Sequence, residues 1–226
     1  MANEDLKSLY RHRFSESELP AKNALWKVLC DSYFQQYVDA RTHTVLDLAC
    51  GYGEFINNIR AARKLAVDLN PDSPAALASD VVFHAVAANR LDPVPDASVD
   101  VVFTSNFFEH LPDKAALHEV LREVHRILKP GGKLVAMGPN IRHLPGAYWD
   151  FIDHHLPLSE RSLAEALLLA DLQPTRIVDR FLPYTTQSRL PKTTLLVRAY
   201  LALPLAWRVL GKQFLVVAAK PARRGG

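Results

Sequence analysis

Residues 44–55 read TVLDLACGYGEF: an apolar run ends in Asp47, Gly51 and Gly53 bracket a single residue, and Glu54 follows. Glycine has no side chain and reaches positive φ, so Gly51 and Gly53 let a ligand lie close against the main chain. Further on, the apolar run 64–67 leads into Asp68. An acid about 20 residues after a glycine loop is placed to hold two ribose hydroxyls. A second set of residues has the chemistry of proton transfer. Glu109 and His110 follow an apolar run at 99–104, and His154 and His155 close the stretch GPNIRHLPGAYWDFIDHHL at 138–156. His110, His154 and His155 are rival general bases. Tyr148, Trp149 and Asp153 are expected to contact an acceptor, because loops at such an edge close over substrates. Tyr184, within RFLPYTTQSRLP at 180–191, belongs to a second pocket wall. Asp153, His154 and His155 have the donor types of a metal site but no partner cluster in sequence, so no metal is expected.

These residues need a scaffold. Buried-strand runs are expected at 44–48, 64–67, 81–86, 99–104, 133–137 and 214–219. A helix is expected at 114–128, where Leu117, Val120, Leu121, Val124 and Leu128 recur at helical spacing behind an Asp113 N-cap. Lys129, Pro130, Gly131 and Gly132 mark its end. Glu54 is read as opening a further helix. Strands alternating with amphipathic helices predict an α/β, doubly wound, Rossmann-like sheet with helices on both faces. Ligands bind such sheets at the carboxyl ends of the strands, where strand order reverses, and 47–53 falls there.

Electrostatics separates the ribose-bearing ligands. A dinucleotide sets its pyrophosphate on a helix N-terminus and usually needs a third glycine. The third position here is Ile56, and the pyrophosphate would face Asp47 and Glu54. S-adenosylmethionine has no phosphate and carries an ammonium and a sulfonium, which suit the acids.

The segments VLDLACGYGEF, AVDLN, DASVDVVFTSNFFEHL and LREVHRILKPGGKLVAMGPN, in that order across 45–140, resemble class I S-adenosylmethionine-dependent methyltransferases. The resemblance implies a mostly parallel seven-stranded sheet with its last strand antiparallel. It also implies that Asp47, Ala49, Gly51 and Gly53 flank the methionine part of the cofactor and that Asp68 holds the ribose. Leu69, Asn89, Arg90 and Asn106 complete the implied cofactor set. Ala87 and Ala88 stand where relatives often carry an acid for the adenine amino group, leaving Asn89 or the backbone to replace it. The implied reaction is O-methylation of a small-molecule acceptor such as a sugar, a lipid-linked molecule or a natural product. A noncatalytic cofactor-binding partner protein and an NAD-dependent oxidoreductase are the alternatives.

With 226 residues, 49% hydrophobic and 23% charged, the chain is expected to form one domain, 1–226. Within it, 1–40 forms a helical cap, 41–140 the cofactor core, and 141–226 the acceptor-side loops, an apolar helix and the final strand. Leu25, Trp26, Leu29, Tyr33 and Tyr37 give the cap its apolar face. The net charge of +3 is scattered, which argues against nucleic acid. Two cysteines and a polar N-terminus point to a reduced, cytoplasmic setting. The apolar stretch 193–210, kinked at Pro204, is expected to be buried on the domain or against a second copy of the chain; the alternative is a membrane-surface helix with Leu196, Tyr200, Leu203 and Trp207 as its exposed face.

Overall fold

The computed structural model describes residues 19–183 and 194–222. Its strands are β1 Thr44–Leu48, β2 Arg63–Val67, β3 Val81–His84, β4 Val99–Ser105, β5 Leu128–Pro139, β6 Gln173–Val178 and β7 Gln213–Ala219. They form one seven-stranded sheet in the order β3-β2-β1-β4-β5-β7-β6. The first five run parallel, and β7 lies antiparallel between β5 and β6.

Because side chains alternate across a strand, the sheet feeds two cores. Leu46, Leu48, Leu65, Val67 and Val102 enter one of them, with helices α2 Lys114–Ile127 and α3 Glu160–Leu169. Val45, Ala66, Val101, Phe103 and Val135 enter the other, beneath α1 Leu19–Ser32, α4 Thr194–Ala202 and α5 Pro204–Leu210. Trp26 of α1 meets Phe103 edge-on at 5.9 Å between ring centroids, and Phe55 stacks on Phe103 at 3.7 Å. Such aromatic pairs contribute about 0.5–1.5 kcal/mol beyond area burial. They join the cap, the segment after the glycine loop and β4 into one packed unit.

Several expectations are revised. The segment after Gly53 is a run of turns rather than a regular helix. Asn57 N–H donates to Gly53 O, while both Asn58 and Ile59 donate to Phe55 O, mixing four- and three-residue spacings. The Asn57 side chain is also drawn away, donating to Ala76 O and accepting from Ala78 N–H. β3 ends at His84 rather than residue 86. β5 starts at Leu128, and Pro130 to Gly132 form an irregularity within its pairing to β4 instead of a free turn. α1 stops at Ser32, so Tyr33 and Tyr37 belong to a turn and the 3-10 segment Phe34–Tyr37. β6 is an edge strand that sequence patterning misses, because Gln173, Pro174, Thr175 and Arg176 dilute its apolar signal. An edge strand accommodates Pro174, which has no N–H to donate.

The proposed face of the 193–210 stretch is also redrawn. Pro204 opens α5, separating it from α4, and Trp207 turns inward to 5% exposure against Tyr33 and Phe181. Its indole N–H donates to Tyr200 O, and the Tyr200 hydroxyl donates to Phe181 O. Leu196 and Leu203 are exposed as that face requires, together with Leu195, Leu205, Val209 and Leu210.

The Asp113 carboxylate accepts from Ala116 N–H at 2.8 Å and caps α2, whose Leu117, Val120, Leu121, Val124 and Ile127 are buried. Asp113→Ala should lower unfolding free energy by about 1 kcal/mol, read from the midpoint of a urea titration with its slope unchanged.

Candidate functional site

Strand order reverses between β1 and β4, whose connections lead to opposite sides of the sheet. The loops leaving their carboxyl ends therefore diverge and open a crevice. Below it, the Thr104 hydroxyl donates to Leu48 O at 2.9 Å and holds the two strand ends together. The β1 loop bears the first group of site residues, and the β4 loop bears the second.

On the β1 side, Ala49, Gly51 and Gly53 all lie at positive φ, +59°, +55° and +77°. For Ala49 this left-handed conformation costs roughly 1–2 kcal/mol. A Cβ at Gly53 would strike Leu77 Cδ2 at 2.4 Å, so Gly53 serves packing. At Gly51 the nearest atom would be Glu54 Oε2 at 3.9 Å, so this backbone is open to an incoming ligand. Asp68, at the end of β2, accepts from Gly51 N–H and Asn70 N–H, each at 2.7 Å. With a further backbone bond from Leu69, the carboxylate keeps a lone pair for a ribose hydroxyl.

Asp47 shares Val45's face of β1 and is 3% exposed. Burial, followed by the charges of Glu54 and Asp68, holds its carboxyl well above the usual range against a hydrogen bond from the Ile56 backbone. Burial also raises Asp68, opposed by the backbone bonds of Asn70, Gly51 and Leu69. Glu54 pairs with Lys22 of α1 at 2.6 Å, which ties the cap to the loop, a link with no sequence signal. Three acids around an open glycine backbone fit a cationic, ribose-bearing ligand. Of the remaining implied cofactor residues, Leu69, Asn89, Arg90 and Asn106 are exposed. Asn89 donates to Glu119 Oε2, and Arg90 pairs with Asp92 at 3.8 Å.

On the β4 side, the 3-10 turn Phe108–His110 brings Glu109 and His110 against the loop after β5. Asn140 anchors that loop: its side-chain amide donates to Glu160 Oε2 and Asp179 O, and Glu160 also pairs with Arg142. Glu109 joins the two segments. Its backbone carbonyl accepts from His155 and Leu156 N–H, and its carboxylate accepts from the Tyr148 hydroxyl at 2.8 Å. Burial pushes the Glu109 carboxyl up, opposed by His110 and the Tyr148 bond.

His110 Nδ1 lies 3.0 Å from Asp153 O and 3.2 Å from Asp153 Oδ2. A carbonyl only accepts, so Nδ1 carries the proton and Nε2 keeps its lone pair. Burial depresses the imidazole, but the bonds and charge of Asp153 and the charge of Glu109 outweigh it and raise its pKa. His154 Nδ1 bonds to Tyr148 O at 2.7 Å, which fixes the same tautomer, and its ring lies 5.0 Å from that of His110. The structure thus brings His110, His154 and Asp153 together and leaves His155 exposed. Tyr148 is buried with its hydroxyl on Glu109, whereas half-buried Trp149 donates its indole N–H to Leu144 O. Tyr184 lies outside the described residues.

Residues 46–136 match the family described as a methyltransferase domain. Malonyl-[acyl-carrier protein] O-methyltransferase of Dechloromonas aromatica is 33% identical over 147 residues, 62% of this chain and 54% of that protein. 27-O-demethylrifamycin SV methyltransferase of Amycolatopsis mediterranei is 34% identical over 102 residues, covering 40% of this chain and 36% of its own. The chain thus spans about half or less of the length of these relatives. Among solved structures, an S-adenosylmethionine-dependent methyltransferase from Archaeoglobus fulgidus superposes with a TM-score of 0.65 at 22% identity. That superposition covers 95% of this chain and 99% of the other, a likeness of fold.

The raised carboxyls of Asp47 and Asp68 make cofactor binding a proton-linked event. A cation beside them favours their ionised forms, so binding releases protons, and affinity should rise with pH through their titration and then level off. Calorimetric titration of S-adenosylmethionine in two buffers of different ionisation enthalpy should give different observed heats. Equal heats would remove the linkage. Asp68→Ala should weaken binding by about 1.5–3 kcal/mol while leaving the circular dichroism spectrum unchanged.

Proposed function

Because the chain belongs to the class I S-adenosylmethionine-dependent methyltransferases, we propose that it transfers the cofactor's methyl group to a hydroxyl oxygen of a small-molecule acceptor, with His110 as the base. Its family removes the nicotinamide-dependent alternative. The observation that carries the proposal is the His110–Asp153 pair, set just beyond β4, the strand beside Asp47-bearing β1. The relative from Dechloromonas aromatica is named for transfer to oxygen, in keeping with this reading.

When bound, S-adenosylmethionine supplies an electrophilic methyl on a sulfonium that leaves as a neutral thioether. Asp47 and the open Gly51 backbone hold its methionine part, and Asp68 holds its ribose. Asp153 fixes the His110 tautomer, so Nε2 accepts the acceptor's proton as oxygen becomes the nucleophile. Glu109, through Tyr148 and the backbone of His155 and Leu156, keeps the acceptor loop against that imidazole. Much of the rate then comes from alignment of the reactants. In this reading 41–140 forms the cofactor core, the described residues 19–40 the cap, and 141–183 with 194–222 the acceptor side of one domain.

A screen for methyl transfer from labelled cofactor to phenols, sugars and carboxylic acids tests the reading. On a hydroxyl acceptor, His110→Ala should lower turnover by roughly a hundredfold with cofactor affinity preserved, and His155→Ala should leave turnover unchanged. Carboxylate acceptors, already ionised, should be spared. Cofactor binding without transfer to any acceptor would favour the noncatalytic alternative.

A second proposal concerns where the acceptor is met. Leu195, Leu196, Leu203, Leu205 and Val209 are exposed on α4 and α5, where Arg198 and Arg208 also lie. Among the described residues no helix is long and apolar enough to cross a membrane. We propose that this face rests on anionic lipid, giving access to a hydrophobic or lipid-linked acceptor. Cosedimentation with anionic vesicles should fall with salt and with Leu205→Glu. Loss of neither would leave this face to a second copy of the chain.

A further inference from the structure

In sequence the third donor beside Asp153 and His154 is His155, yet the fold leaves His155 out of the cluster and brings His110 to them from the β4 loop. One donor atom from each of His110, Asp153 and His154 lies within 4.8 Å of the other two. From this juxtaposition we propose that the three side chains bind one divalent first-row transition-metal ion, with open positions for the oxygen of the acceptor. The proposal rests on the hydroxyl-methylation reading but replaces its base, since an imidazole of His110 that ligates the ion no longer takes the acceptor's proton.

Three features of the cluster support an ion. Asp153 Oδ2 and His110 Nδ1 are 3.2 Å apart, close to the separation of about 3.4 Å between two ligands on a tetrahedral ion with bonds of about 2.1 Å. The three donor atoms, all within 4.8 Å of one another, would draw together toward the same separation of about 3.4 Å by side-chain rotation. His154 has Nδ1 bonded to the Tyr148 carbonyl, the backbone bond that commonly orients a metal-bound imidazole. His110 can ligate through Nε2 with Nδ1 kept on the Asp153 carbonyl, or through Nδ1 after that bond is released.

The charge balance agrees. Asp153 and Glu109 are both buried, at 5% and 2% exposure, and among the groups facing His110 they provide negative charge that a cation would offset. His110 and His154 are only half-buried, so an ion can reach them. Two imidazoles and one carboxylate suit ions of the zinc, cobalt or manganese kind better than magnesium, which prefers oxygen ligands and its own water. An ion held here would lower the pKa of a coordinated hydroxyl and so favour the alkoxide that takes the methyl group. The proton leaves to solvent, and no electrons change hands.

Titration of the chelator-treated full chain with Co²⁺ tests the site. One equivalent should bind with visible d–d absorption, and Zn²⁺ should displace it. His154→Ala and His110→Gln should each weaken binding at least about tenfold, whereas His118→Ala and His125→Ala on α2 should leave it unchanged. Absence of a stoichiometric site, or binding indifferent to the first two variants, overturns the proposal. Methyl transfer measured in parallel separates the two readings. Hydroxyl methylation that survives chelation, with no cobalt bound, sinks the metal and keeps the transferase. Cobalt bound at this cluster without methylation of any hydroxyl does the reverse.

Discussion

The reversal of strand order between β1 and β4 is the constraint on which the rest of the site depends. Parallel strands whose connections leave in opposite directions cannot close over their shared end, so a crevice forms there. The Thr104–Leu48 hydrogen bond keeps its floor together while the two loops diverge above it. One loop offers exposed backbone and acids, and the other offers imidazoles. The architecture therefore brings the acids of one loop and the imidazoles of the other to one crevice.

That crevice carries an electrostatic penalty. Asp47 is buried beside Glu54 and Asp68, whose charges raise the cost of ionising it. A fold selected for stability alone would hardly place three carboxyls around two left-handed glycines and a left-handed alanine. The aromatic unit of Trp26, Phe55 and Phe103, with the Lys22–Glu54 pair above it, holds the loop against this repulsion. A cationic ligand relieves the same repulsion, which links the cofactor's charge to the order of the loop.

Glu109 does on the acceptor side what the aromatic unit does on the cofactor side. Its backbone carbonyl holds His155 and Leu156, and its buried carboxyl holds Tyr148. The β4 loop and the loop after β5 are consequently tied together by hydrogen bonds beside the His110–Asp153 pair. Replacement of Tyr148 by phenylalanine would leave a buried carboxyl without that donor.

Local patterns made much of this protein legible in sequence. The run from Thr44 to Leu48, the α2 face from Leu117 to Ile127 and its Asp113 cap depend on neighbours a few residues apart, where periodicity and capping act directly. The glycines with Asp47 and Asp68 were readable for a similar reason, since a βαβ unit fixes their spacing along the chain. What depends on distant partners was not readable. Trp207 belongs to an apolar stretch in sequence, yet the break at Pro204 and the contacts with Tyr33 and Phe181 turn it inward. The turn-rich path after Gly53 answers to Asn57's bonds with residues 76 and 78, and the edge strand β6 answers to β7. His110 and Asp153 stand 43 residues apart, and only the antiparallel insertion of β7 and the Asn140–Glu160 anchor fold the later loop back onto β4. Sequence determined which chemistries were present, because residue type and local spacing carry that information. Tertiary structure decided which imidazoles share a carboxylate, because that distance is set by packing between segments with no sequence proximity.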